Sequence, residues 1–369
     1  MDRRTWIAAM AGGLAWPLAA HADDADDPDR PLLLGAAWRG PRETDVHHVG
    51  MLEADWKRAE VRIRHAAPVP SRPHGLLAEA DGALVAVALR PGAWIQRIDA
   101  HGRLMQRVYA GDDGGGTTFG GHAAPSLDGR WLYTSETDTA SGEGRIGVRD
   151  ARTLRKVDEW RSGGIEPHQL LVDVDGHVVV AHGGIRRGPG DAKRELDRMD
   201  SSLVRLDGRH GALLGQWRLP DARISIRHMA WSGEGGARLL GLALQAEHDE
   251  PARRAEAPAL AVWDGVTLRA ATRHAGAMGH AGDIAPAAGG GFVVSHAKAQ
   301  RAWWWRPDAP DELAEVARLT EAYALAAGGG GGVVIAAARG IGRWHPARPA
   351  ALLPWPQPMA LDNHWVAWA

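Results

Sequence analysis

From residue 31 onward, short apolar runs alternate with polar breaks, and no stretch sustains the three-to-four-residue spacing of an amphipathic helix. Runs of β-branched and small residues recur at Leu33–Trp38, Leu84–Leu89, Leu132–Thr137, Val178–Gly183, Leu239–Leu244, Phe292–Ala297 and Val333–Ala338, and each reads as a strand. Segments with two-residue alternation follow, such as Ala93–Asp99 and Arg103–Tyr109. Asp81-Gly82, Asp128-Gly129, Asp175-Gly176 and Asp207-Gly208 supply turns between them.

A second pattern runs ahead of the first. One polar residue followed by a short apolar stretch recurs at His74, His122, His168, His228, Asp283, Tyr323 and His364, at intervals of 40 to 60 residues. Four short strands per interval, repeated, predict propeller blades. The chain enters at a second strand (Leu33) and ends on a first strand (His364 to Ala369), so six whole units and one split unit make seven. The expected fold is all-β: one domain over residues 31–369, a seven-bladed β-propeller of four-stranded, WD40/YVTN-like blades. Its first blade is closed by the C-terminal strand, which removes two open sheet edges. Most of the 17 tryptophans fit as packing between blades. In Trp303-Trp304-Trp305 the rings alternate faces, so at least one is expected at solvent or an interface.

That topology gives the polar repeat a place. Each recurring polar residue opens a first strand, the one lining the central channel, so His74, His122, His168, His228, Asp283, Tyr323 and His364 are expected to form a ring at the upper mouth. Arg227 lies beside it. Second strands end at the same face, adding Glu136, His182 and His296, with Arg39, Arg90, Lys298 and Arg339 nearby. The longest insertion, Gly183–Ser202, leaves the same face and is placed to cover the ring.

Composition narrows the chemistry. The chain has 369 residues, 18 histidines, no cysteine and a formal net charge of −2. Without cysteine there are no disulfides, thiolate metal sites or Cys nucleophiles. A near-neutral charge without a basic cluster argues against nucleic-acid binding. Three readings of the ring stand. It is a metal or cofactor site with His74, His122, His168, His228 and His364 as ligands, suited to copper, iron or zinc. It is a hydrated polar ring that satisfies neighbouring backbone. Or it takes an organic or peptide ligand through Glu136, His182, Arg227, Asp283, His296 and Tyr323. Ligands on opposite sides of a wide channel cannot share one ion, so a metal would need neighbouring blades or a multinuclear cluster. A non-metal interaction scaffold, with the Trp303–Trp305 run and the Gly183–Ser202 loop touching a partner, is the alternative. Quinoprotein-like and lactonase-like enzymes share the scaffold, although an imidazole-rich mouth disfavours a calcium-dependent lactonase. Ser126 and Ser225 lack a nucleophile-elbow context.

Met1–Ala22 reads as an export signal: Arg3-Arg4, an apolar stretch from Trp6 to Ala20, and Ala20-His21-Ala22 as the cleavage motif. The adjacent arginines are twin-arginine-like. Cleavage after Ala22 would leave an acidic leader, residues 23–30, and a periplasmic chain without a membrane span.

Arg72-Pro73-His74-Gly75, Gly121-His122, Ser126-Leu127-Asp128-Gly129-Arg130, Leu132-Tyr133-Thr134-Ser135-Glu136, Glu166-Pro167-His168, Gly183-Gly184-Ile185, Ser225-Ile226-Arg227-His228 and Asp362-Asn363-His364 together resemble the bacterial family of domain of unknown function 1513. The resemblance covers nearly the whole mature chain. It implies a periplasmic seven-bladed, quinoprotein/YVTN-like propeller, in gene clusters with imelysin-like proteins and a di-haem oxidoreductase. It also implies a role near iron or haem acquisition, with those proteins as partners. The chain departs from the family pattern at Arg186-Arg187-Gly188-Pro189, where an E-T-H-P stretch is common, at Asp283, where Ser is common, and at Tyr323, where a small residue or Cys is common.

Overall fold

The computed structural model describes residues 30–232, 238–271 and 279–368. The export signal and the acidic leader through Asp29 lie outside the described residues. Seven four-stranded antiparallel sheets form a ring of blades. Blade 1 is built from Ala360–Ala367, Leu32–Arg39, His47–Asp55 and Glu60–Pro68, in that order from the channel outward. The inner strands of blades 2 to 7 are Pro73–Ala78, Thr117–Pro125, Pro167–Val172, Ile224–Ser232, Ile284–Ala287 and Leu325–Ala327. Each is followed outward by its next three strands in chain order, except that in blade 4 the Arg186–Arg187/Lys193–Arg194 hairpin comes between the second strand, Val178–His182, and the third, Ser202–Leu206.

The second strands explain the apolar runs. In Leu84–Ala88, Leu84, Ala86 and Ala88 pack toward blade 1, whereas Val85 and Val87 pack toward blade 3. Successive side chains point to opposite faces, and a blade has a neighbour on both faces, so both sets are buried. Seven such hydrophobic clusters fill the seven gaps between blades. The ring closes as expected: Leu34, Ala36 and Trp38 pair with Ala367, Trp365 and Leu361 of the C-terminal strand.

Trp303 and Trp305 are buried in the gap between blades 5 and 6. Trp304 faces blade 7, its ring centroid 5.1 Å from that of Trp344 and with the Arg306 guanidinium over it at 4.9 Å. Trp303 and Trp305 are therefore inter-blade packing, and Trp304 is the one ring of the run that remains half-buried. Among the described residues no helix is long and apolar enough to cross a membrane.

Candidate functional site

The five channel histidines share a backbone feature. In blade 2 three steps from Pro73 to Leu76 stand opposite two from Ala88 to Ala86, so the inner strand carries one extra residue across His74. The same surplus spans His168 in blade 4 and His228 in blade 5. In blade 3 four steps from Phe119 to Ala123 oppose two, and in blade 1 four from Leu361 to Trp365 oppose two, enclosing His122 and His364. Each is a β-bulge, which bends the strand and re-aims a side chain. The inner strands of blades 6 and 7, which carry no histidine, pair without a register shift.

The bulges carry the imidazoles into one cluster. Ring centroids lie 4.8 Å apart for His74–His122, 4.6 Å for His74–His364, 4.7 Å for His168–His228 and 4.2 Å for His228–His364. Even His74 and His228, three blades apart, are 5.9 Å apart. The channel is thus narrow at this level, which corrects the expectation that histidines across it are too distant for one ion. Glycine makes the approach possible: at Gly121, with φ of +110°, a Cβ would sit 2.7 Å from His74 Cδ2. All five rings are buried, 3–7% exposed.

Hydrogen bonds from the rim hold them. Arg72 at the entry to blade 2 grips Asp362 through two bonds of 2.7 and 2.9 Å, tying the His74 bulge to the His364 bulge. His364 Nδ1 lies 3.3 Å from Asp283 Oδ1, and the other Asp283 oxygen accepts from the Leu325 amide at 2.9 Å. Asp283 thus orients a histidine and joins blades 6 and 7. Tyr323 is half-buried beside it and hydrogen-bonds Asn363; burial pushes its hydroxyl up. His168 Nε2 is 2.9 Å from His228 Nε2. By contrast, His74 Nδ1 and Nε2, His122 Nε2, His228 Nδ1 and His364 Nε2 are buried without a hydrogen-bond partner in the protein. These same four residues offer nitrogens that all lie within 4.8 Å of one another. Burial, with neighbouring imidazoles next, holds His74, His122, His168 and His228 well below the usual imidazole range. They are neutral bases at pH 7.

A second cluster adjoins the first. Glu166, with φ of +57°, is buried and receives Arg90, Arg187 and Arg227. Burial alone would push its carboxyl up, but the three guanidiniums outweigh it and hold the group at about 2. Burial, then repulsion from Arg227, lowers Arg90 to about 10. Arg90 Nη1 reaches His168 Nδ1 at 3.2 Å, linking the two clusters. Arg187 lies in the Gly183–Ser202 insertion, whose Arg186–Arg187 and Lys193–Arg194 strands form a hairpin, so that loop docks on Glu166.

Three predicted site residues lie elsewhere. Glu136 belongs to a buried network inside blade 3: Arg149 at 2.7 Å, Lys156 at 2.6 Å, Thr117 at 2.7 Å and Thr134 at 2.7 Å. Burial opposes its ionisation, but Arg149 and Lys156 prevail and lower its carboxyl. Its oxygens are committed, so Glu136→Gln is expected to cost about 1–3 kcal/mol in denaturant titration while leaving ligand binding at the histidines unchanged. His182 sits between blades 3 and 4, its Nε2 2.8 Å from Ser162 Oγ, and burial takes it down to about 3. His296 packs against His280 with ring centroids 4.9 Å apart and planes tilted by 53°, and burial lowers the two to about 4 and about 3. An open groove of about 1030 Å³ lies at the other end of blades 3 and 4, along the Asp128, Asp175 and Asp207 turns, away from these groups.

Residues 67–368 match the family described as "Protein of unknown function (DUF1513)". The chain belongs to this family. The match runs from the last strand of blade 1 through the closing strand, so all five bulged strands fall inside it. No functionally curated protein matches the chain in sequence. Among solved structures, the chain is similar to the Kuenenia stuttgartiensis hydrazine synthase at 12% identity, covering 87% of this chain and 96% of that one, with a TM-score of 0.60. It is also similar to selenomethionine-substituted virginiamycin B lyase from Staphylococcus aureus at 12% identity, covering 78% and 85%, with a TM-score of 0.55. At such identities the likeness concerns the fold alone.

Proposed function

We propose that the protein is a periplasmic propeller that binds a transition-metal ion, or a complex or partner carrying one, at the histidine cluster, as an accessory to iron or haem acquisition. One observation carries the reading. Four histidines converge their nitrogens within 4.8 Å, and each of the four carries a buried nitrogen lacking a protein partner. Buried polar atoms are nearly always satisfied; His228 is already bonded to His168 through its other nitrogen, and the adjacent exceptions on His74, His122 and His364 ask for a common partner. Neutral imidazole is the form that binds metal, and a nitrogen-rich set without thiolate suits copper, iron or zinc. Tetrahedral bonds of about 2.0–2.1 Å place ligand nitrogens roughly 3.4 Å apart, so binding would draw the rings inward by about an ångström. The export signal and the family resemblance support the periplasmic setting and the link to imelysin-like or haem-containing partners.

The test is elemental analysis of the naturally exported protein and of a His74→Ala/His364→Ala variant. The expected result is about one transition-metal ion per wild-type chain and none in the variant, which keeps its circular dichroism spectrum. Wild-type protein that holds no metal even after incubation with copper, iron and zinc salts contradicts the reading.

A further inference from the structure

We infer that His74, His122 and His364 alone ligate the metal, and that a small anion, a carboxylate or another oxyanion, completes its coordination. This rests on the metal-binding reading above and specifies it.

The hydrogen bonds assign the protons. Arg90 Nη1 lies 3.2 Å from His168 Nδ1, and a guanidinium can only donate, so that nitrogen accepts. The neutral His168 ring then carries its proton on Nε2, which donates to His228 Nε2 at 2.9 Å. His228 accepts there, so its own proton is on Nδ1, and the Gly282 backbone is the hydrogen-bonding group beside the ring. Both nitrogens of His228 are therefore occupied, and neither has a lone pair for a metal. His168 is occupied in the same way.

On the other side of the cluster the pattern reverses. Asp283 accepts at His364 Nδ1, 3.3 Å away, which leaves the His364 Nε2 lone pair free and without a protein partner. A carboxylate behind an imidazole in this way fixes tautomer and orientation in metal sites. His74 has both nitrogens free, and His122 has Nε2 free. Three imidazoles leave one position of a tetrahedral ion open.

Charge decides what fills that position. Arg90, Arg187 and Arg227 carry one charge more than Glu166 and Asp191, and Asp283 offsets that one. A divalent ion therefore leaves the buried pocket positive, and in a low-dielectric setting an anion is the favoured fourth ligand. Arg90 is the cation whose charge acts on both His74 and His122, and its side chain lines the approach between them and Glu166.

Cobalt(II) titration of the full exported protein tests this, using visible absorption as the readout and azide as the anion probe. Wild type, His228→Gln and His168→Gln are expected to bind one cobalt with affinities within about tenfold of one another, whereas His364→Gln loses more than about a hundredfold. Azide is expected to shift the visible bands saturably in every variant that binds. The inference is overturned if His228→Gln and His168→Gln lose cobalt as completely as His364→Gln, or if azide leaves the bands unmoved. Failure of the wild type to bind cobalt at all instead overturns the metal reading beneath it.

Discussion

Acidifying the metal-free protein from about pH 7 to about pH 4.5 is expected to unfold it, with the thermal midpoint falling steeply through that window. His182 is held at about 3 by burial, and His74, His122, His168 and His228 are held well below 6.5. In the unfolded chain the same imidazoles titrate near 6.5. Between the two values the unfolded state binds more protons, so stability is fully present above about pH 6.5 and is lost as pH falls below it. Each such histidine costs about 1.4 kcal/mol per pH unit, and five of them consume a typical reserve of about 5–15 kcal/mol within one to three units. The depressed carboxylates, such as Glu166 at about 2, enter only below about pH 4.5, so the two contributions separate along the pH axis. Circular dichroism melts of chelated protein at half-unit intervals check this. A midpoint that stays flat from pH 7 to pH 5 would show that the imidazoles are not buried as neutral bases.

Replacing Glu166 with alanine is expected to destabilise the protein by about 3–5 kcal/mol, or roughly 5–10 °C in thermal midpoint. The loss comes from what remains: Arg90, Arg187 and Arg227 converge on this one carboxylate, and Arg227 is itself buried. Three guanidiniums without their shared counterion repel one another in a poorly solvated pocket. The backbone is not the cause, because alanine inherits the same positive φ. Urea titration of Glu166→Ala beside Glu166→Ala/Arg227→Ala separates the terms, since removing one orphaned charge should restore part of the loss. A single-variant loss below about 1 kcal/mol would mean that solvent reaches the cluster and that the guanidiniums do not depend on Glu166.

The blades were legible because their signal is local and periodic. Apolar runs such as Leu84–Ala88 must be buried on both faces, and each is announced by a polar residue at the start of the preceding strand. Closure of blade 1 followed from the count. The shared location of the five histidines followed from position in the repeat alone. Their convergence did not, because it depends on β-bulges, and a bulge is a property of pairing between two strands. Gly75 after His74 and Gly121 before His122 are the sequence traces of that close approach.

The misplaced residues were lost to partners distant in sequence. Glu136 sits at the end of a second strand as expected, but Arg149 from the next strand captures it. His182 likewise turns to Ser162 in the neighbouring blade. Glu166 was missed as a site residue, although a signal existed: it stands two residues before His168, as Arg72 stands two before His74, each followed by Pro. Both form rim ion pairs that brace the histidine bulges, Glu166 to the arginines and Arg72 to Asp362.

X-ray absorption at the edge of the bound metal in naturally exported protein addresses the central claim most directly. The account predicts a shell of about three nitrogen ligands near 2.0–2.1 Å with outer-sphere scattering from imidazole, plus one exchangeable oxygen ligand. A shell of oxygen donors without imidazole scattering would place the metal elsewhere on the protein and contradict the account.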